Sequence, residues 1–265
     1  MLHAAVAARS FRRYATYRGA TLAGIFTNSV FGVIYSFVYL ALWRERSGLG
    51  GYDSVDAVTY VWIGQGLIMV TALWAGGPTD DLAERVRSGA IAVDLYRPVG
   101  LVSWYLAQDA GRMLFHLVTR GTVPMILGAM LFDLRPPAGV VGAAAFAISV
   151  CLGVLVSFGL RFLAAASSFW LLDASGVRTL STVAGTFFSG MVLPLVVFPE
   201  PLRSICLALP WAAMLQTPAD LWLGRHTGTG ILAALSVQAA WAMALLLAAR
   251  LVTHAATHKL VVQGG

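Results

Sequence analysis

Three groups of residues carry side chains that could do chemistry at the spacings they have. Asp80, Asp81 and Glu84 form a DDxxE cluster. Carboxylates so grouped could hold a metal-bound diphosphate, which makes a membrane enzyme acting on a lipid-linked substrate the alternative reading of this chain. That chemistry needs a second acidic motif opposite, and Asp94, Asp109 and Asp173 stand singly. Acids in the first turn of a helix opened by Thr79 as N-cap account for the cluster without any ligand. Asp109, Arg112, His116 and Arg120 are spaced 3, 4 and 4, which puts them within about 80° of arc on one helix face. Either the helix begins below the membrane, with Asp109 and Arg112 in water and Arg120 snorkelling, or the stripe is a polar face of a pathway. His254 and His258 lie at i, i+4 near the end of the chain, where cations facing a helix C-terminus are preferred over a metal pair. Ser175 and Ser189 each precede a glycine but lack the glycine two residues before that a nucleophile elbow needs. A phosphate-binding loop needs Gly-Lys-Ser/Thr, and Lys259, the one lysine, lies between His258 and Leu260. If ATP drives this protein, another chain binds the nucleotide.

The elements that must position these residues belong in lipid. Of 265 residues, 58% are hydrophobic and 11% charged, against roughly 25% charged in soluble domains. The expected architecture is an all-α integral membrane protein of one domain, 1–265. Six spans of about 20 apolar residues are expected near 21–43, 57–76, 107–132, 139–162, 178–198 and 229–252. Arg9, Arg12, Arg13, Arg18, Arg85, Arg87, Arg97, Arg178, Arg250 and Lys259 fall on one side of such a chain. Arg44, Arg46, Arg135, Arg203 and Arg225 fall on the other, ten against five. The positive-inside rule then places both termini and the loop after the second span in the cytoplasm. A basic excess spread in this way argues orientation, and no nucleic acid partner.

Residues 1–20 are amphipathic, with arginines and tyrosines opposite Ala, Val and Phe, as in a helix lying along the membrane surface. The polar insert 77–100 opens with PTDDLAERVRSG, read as a short helix with an Asp81–Arg85 pair, Leu82 and Val86 on one face with Ala83 beside them, and Gly89 at C′. AIAVDLYRPVG then alternates as extended chain and turns at Arg97-Pro98. Residues 199–228 contain four prolines, and the apolar runs between them are too short to cross, so they are expected to dip in and return. Trp211 and Trp222 suit a headgroup interface there. Small residues recur at fours: Gly24, Asn28, Gly32 and Ser36; Ala145, Ser149, Gly153 and Ser157; Ser181, Gly185 and Ser189. Such spacing lets helices approach closely in lipid. The stretch Gly121…Pro124 is a candidate kink. Cys151 in an apolar run and Cys206 in a loop suggest neither a disulfide nor a metal pair.

The order of these features resembles the permease subunits of type-two ABC exporters, the bacterial drug-resistance-type branch partnered with a separate ATPase. The stretches that carry the resemblance are YRGATLAGIFTN, DLAERVRSGAIAVDLYRPVG, FWLLDASGVRTL and SGMVLPLVVFPEPLRSICLALPW. It implies that 77–100 is a coupling helix seated in a groove of the ATPase, with Asp81, Glu84, Arg85, Arg87 and Gly89 at that contact and Arg97 and Pro98 setting the turn after it. The interfacial helix with Arg12, Arg13 and Arg18 lies beside it. The resemblance further implies an ATPase dimer carrying ATP and Mg, with no cofactor on this chain. A second permease, identical or a paralogue, encloses the path with it, and the bilayer is the inner membrane. Export of a drug or lipid-like substrate is likewise implied.

Overall fold

A backbone surrounded by hydrocarbon must close its own hydrogen bonds, and helices do so locally. The computed structural model describes residues 1–73, 77–171 and 173–263, with side chains as far as 256, and among these it contains helices and no strand. His258 and Lys259 therefore lie outside the described side chains, and 74–76, the end of the expected second span, outside the described residues. Twelve α-helices follow in order: α1 Leu2–Thr16, α2 Arg18–Glu45, α3 Ser54–Leu67, α4 Pro78–Arg87, α5 Ile91–Leu95, α6 Leu101–His116, α7 Thr122–Leu131, α8 Gly139–Ala166, α9 Ser175–Phe188, α10 Glu200–Ala208, α11 Gln216–Trp222 and α12 Thr229–Gln263.

Among the described residues, four helical stretches are long and apolar enough to cross a membrane: α2, α6 with α7, α8 with the 3-10 turn that follows it, and α12. The expected second and fifth spans are shorter than the sequence suggests. Helix α3 has 14 residues, about 21 Å of helix, below the ~30 Å hydrocarbon thickness. Asp53 and Asp56 start it with a reciprocal capping box, and every residue from Asp56 to Leu67 is buried. It is a core helix wrapped by the others, which is why its sequence is apolar on all sides. Helix α9 stops at Phe188, two residues before Gly190 turns the chain at φ +88°. The remaining part of the expected fifth span, 190–198, is irregular apart from one 3-10 turn at Leu195–Val197.

Small residues set the helix spacings, and they do so within this one chain. Gly24, Asn28, Gly32 and Ser36 are the buried stripe of α2. The Trp62 indole of α3 lies between Gly32 and Gly128 of α7, where a Cβ on either glycine would stand under 3 Å from the ring. Ser149 donates to Gln238 of α12 at 2.8 Å, and Gly153 lies against the Ala213 carbonyl. Next to the candidate kink at Gly121…Pro124, a π-helical turn over Leu117–Gly121 joins α6 to α7. Residues 199–228 form α10, a 3-10 turn at Pro210–Met214, and α11. Trp222 donates its indole N–H to the Arg135 carbonyl at 2.9 Å and packs on Phe146. Cys206 is buried in α10, not in a loop, and both cysteines are free.

The amphipathic N-terminal helix ends at Thr16, and Arg18 already opens α2. Its face of Val6, Ser10, Phe11 and Tyr14 lies on α6. Phe11 and Tyr14 contact the Phe115 ring at centroid distances of 5.6 and 6.2 Å, and the Ser10 hydroxyl donates to the Gln108 carbonyl at 2.7 Å. The helices approach so closely that a Cβ at Gly111 would stand 2.1 Å from the Ala7 carbonyl oxygen. Gly111→Val therefore pushes α1 off α6, costing about 1–3 kcal/mol of overpacking. The expected readout is a lower melting temperature in detergent and faster tryptic cleavage at Arg9, Arg12 and Arg13. Gly176→Val, where a Cβ meets nothing within 4 Å, should leave both unchanged.

Candidate functional site

The polar insert folds into two short helices. Pro78 occupies the first turn of α4, where its missing N–H costs nothing, after Gly77 at φ +116°. Thr79 is thus inside the helix rather than its N-cap, and it is buried because its hydroxyl accepts a hydrogen bond from Arg161 Nη1 at 3.2 Å. Leu82 and Ala83 are buried with Val86 against them, as the periodicity implies. They pack with Tyr105, Phe158, Phe162 and Ala165. Burying a leucine fully contributes about 1.5–3 kcal/mol, more than a ten-residue helix can supply on its own. Gly89, at φ +76° after the cap residue Ser88, ends the helix.

The expected Asp81–Arg85 pair does not form. Arg85 turns instead to Asp94, with Nη2 3.0 Å from Oδ1 and Nε on Oδ2, and also donates to the Ala90 carbonyl at 3.2 Å. Arg97 reaches the same carboxylate at 3.0 Å. Asp94 is buried, so it needs compensation that the half-exposed Asp81 does not. Its hydrogen bond raises the Arg85 pKa above the ordinary guanidinium value. Residues 91–95 are helical rather than extended, and Ile91 and Asp94, three apart, both face inward. Arg97 then lies over the Trp104 ring at 4.4 Å and Pro98 sits exposed in the bend before α6.

Asp81 pairs with Arg13 of α1 at 3.3 Å, Asp80 with Arg178 of α9 at 3.8 Å, and Glu84 with Arg87 at 2.8 Å. The DDxxE acids are thus answered by three different arginines. Among the described residues no three His, Cys, Asp or Glu groups are placed to share a metal. Arg12 and Arg18 are exposed, and Arg13 pairs with α4 through Asp81. Pointing away from the protein are Glu84, Arg87, Val93 and Tyr96, the last two 63% and 90% exposed. Tyr96 and Val93 were not singled out from the sequence. Their signal was an apolar pair within the polar insert that α5 turns outward.

Behind α4 lies the stripe of α6. Asp109 and Arg112 are buried within the chain. Arg112 donates to Asp109 from Nε at 2.7 Å, to the Val70 carbonyl from Nη2 at 3.0 Å and to the Met69 carbonyl from Nη1. Arg161 of α8 reaches the other Asp109 oxygen at 2.8 Å and the Ser157 hydroxyl at 3.1 Å. Nothing local in the sequence distinguishes Arg161. His116 continues the stripe against Tyr14 of α1, ring centroids 5.4 Å apart. Arg120, in the π-turn, meets Asn28 of α2 at 3.3 Å.

A family model described as ABC-2 family transporter protein matches residues 30–264. The chain belongs to this family. Comparisons with curated proteins and with solved structures found no match. The ABC-2 match begins inside α2 and runs through α4, α5 and every later helix, leaving α1 outside it. As a member of this family with four long apolar helices, the chain is a multi-pass membrane protein and the membrane component of a transporter.

At the opposite end of this ABC-2 protein Asp56 is shared by Arg135 and Arg225, and Arg135 also holds Asp53. The hydrogen bonds to Asp53 and Asp56 raise the Arg135 pKa above its ordinary value. Beneath them the Gln216 amide donates to Asp220 at 3.0 Å and accepts from the Leu195 N–H and the Tyr60 hydroxyl at 2.8 and 3.0 Å. Tyr52 donates to Asp220 as well. In sequence Arg135 and Arg225 read only as loop charges, and the pairing with Asp53 and Asp56 and the Gln216–Asp220 network have no local signal, because the partners lie far apart in the chain.

Asp109→Ala leaves two buried guanidiniums without their carboxylate. It should destabilise the protein by about 3–5 kcal/mol, read as a fall in thermal stability in detergent. Asp81→Ala, which breaks an exposed pair, should cost no more than about 1 kcal/mol in the same measurement.

Proposed function

We propose that this chain is the permease subunit of an ATP-driven transporter whose hydrolysis is supplied by a separate ATPase dimer docked on residues 77–100. The observation that carries this reading is the two-faced build of α4 and α5 within an ABC-2 chain. One face is anchored by Leu82, Thr79 and Asp94, and the other presents Glu84, Arg87, Val93 and Tyr96 to solvent. A ten-residue helix so presented has surface to offer and a body to push against. The want of a Gly-Lys-Ser/Thr sequence anywhere in the chain supports a nucleotide bound elsewhere. ATP and Mg then belong to the partner.

The charge bias supports an inner-membrane protein with both termini and α4 in the cytoplasm. Helices α3 and α9 complete a six-pass arrangement, α9 together with the largely irregular chain 189–198 that follows it. The exposed apolar faces of α2 (Leu22, Phe26, Phe37) and α9 (Leu180, Val183, Phe187) are covered by lipid or by a second permease, the same chain or a paralogue. The direction is export, and the substrate is hydrophobic or amphipathic, in keeping with such apolar walls.

Arg87→Glu places a third acid beside Glu84 and reverses the exposed charge, and Tyr96→Ala removes the most prominent apolar contact. Each should lower co-purification of the cognate ATPase by at least about tenfold in affinity, the equivalent of ~1.4 kcal/mol, while membrane insertion stays intact. Undiminished ATPase binding by both variants would refute the docking assignment.

A further inference from the structure

We propose that Arg161 is the positioning residue that locks α4 to the membrane core. Helices α4, α6 and α8 then form one block, and any movement of the segment 77–100 relative to its surroundings is taken up at its borders with α1 and α9. One guanidinium touches all three elements of this block: Nη1 meets Thr79 of α4 at 3.2 Å, Nη2 meets Asp109 of α6 at 2.8 Å, and Nε meets Ser157 of its own helix at 3.1 Å. Arg112 extends the block to the end of α3 through the Met69 and Val70 carbonyls, and the Ser157 hydroxyl donates to the Thr71 carbonyl beside them. Gly77 passes between the two arginines, where a Cβ would stand 3.2 Å from atoms of both. Asp109 and the two arginines resist separation, because pulling any of them out leaves a buried ion uncompensated, and the neutral Thr79 hydroxyl hangs α4 on that cluster without being part of its charge balance.

The borders are built differently. Towards α9 the ion pair is Asp80–Arg178 at 3.8 Å, with both side chains about two-fifths exposed. A cavity of about 30 Å³ lies there among Arg161, Arg178, Ser181 and Gly185, room enough for a water molecule. Towards α1 the Arg13–Asp81 pair is exposed, and a groove of about 750 Å³ separates Leu2, Val6 and Arg9 from Arg85, Arg97 and Trp104. Solvated pairs of this kind contribute little and exchange readily. The lock stands on this geometry alone; that it carries a partner's stroke into α6 and α8 rests on the function proposed above.

The test uses the full chain in lipid nanodiscs with Cys206→Ala. Spin labels are placed at Ser88→Cys with the native Cys151 of α8, and in a second protein at Ser88→Cys with Leu180→Cys of α9 and Cys151→Ala. The α4–α8 distance distribution should be narrow and the α4–α9 distribution wide. Thr79→Val, which removes the hydroxyl but keeps the shape, should widen the first until it matches the second without lowering the melting temperature. Thr79→Ser should restore it. Equal widths in the parent protein, or a narrow α4–α8 distribution in Thr79→Val, overturn the proposal. No ATPase enters this measurement, so a failed docking assignment and a failed lock are told apart.

Discussion

A single carboxylate, Asp109, holds two buried arginines from two long helices, and the α4 end of the molecule is organised around it. An isolated ion in a dry interior is prohibitively costly, so each of the three groups requires the other two. Their remaining hydrogen-bonding capacity falls on polar atoms that would otherwise be stranded: the carbonyls of Met69 and Val70, where α3 gives out, and the hydroxyl of Thr79 in the first turn of α4, while Ser157, held by Arg161, donates to the Thr71 carbonyl beside them. A helix end and a helix start, both awkward in an apolar medium, are satisfied by the same cluster.

The other end solves the same problem with different parts. Asp56 sits between Arg135 and Arg225, at the start of α3 and the entries to α8 and α12. Gln216 and Asp220 collect the hydroxyls of Tyr52 and Tyr60 and the amide of Leu195. Helix α3 is therefore fixed by polar networks at both ends and by apolar contact along its length. Short as it is, it serves as the axis around which α2, α7, α8 and α11 are arranged.

In the proposed docking, the difference between these contacts bears on transport. The segment 77–100 has a buried face committed to α6 and α8 and an exposed face with the solvated Glu84–Arg87 pair and the exposed Tyr96 ring. A surface of that kind transmits force only if its rear is fixed more firmly than its sides. Buried charge and leucine fix the rear, while the sides are closed by solvated ion pairs and separated by voids.

Composition and charge placement alone determined the membrane class, the helical architecture, the short helix at 78–87 with its inward Leu82 and its stop at Gly89, and the broken segment 199–228. These follow from local rules: hydropathy, 3.6-residue periodicity, proline and glycine. The small residues at fours also foretold close helix contacts, though not which helices meet. What only the tertiary structure decided is where charges and lengths end up. Asp81 and Arg85 have the spacing to pair, yet a buried Asp94 nine residues beyond Arg85 wins the arginine, because desolvation makes its claim the stronger. The stripe from Asp109 to Arg120 reads as one face, but its meaning rested on Arg161, 52 residues past Asp109 and unmarked by any motif. An apolar run reads the same whether lipid or protein surrounds it, so the sequence could not tell that α3 is enclosed and α9 cut short.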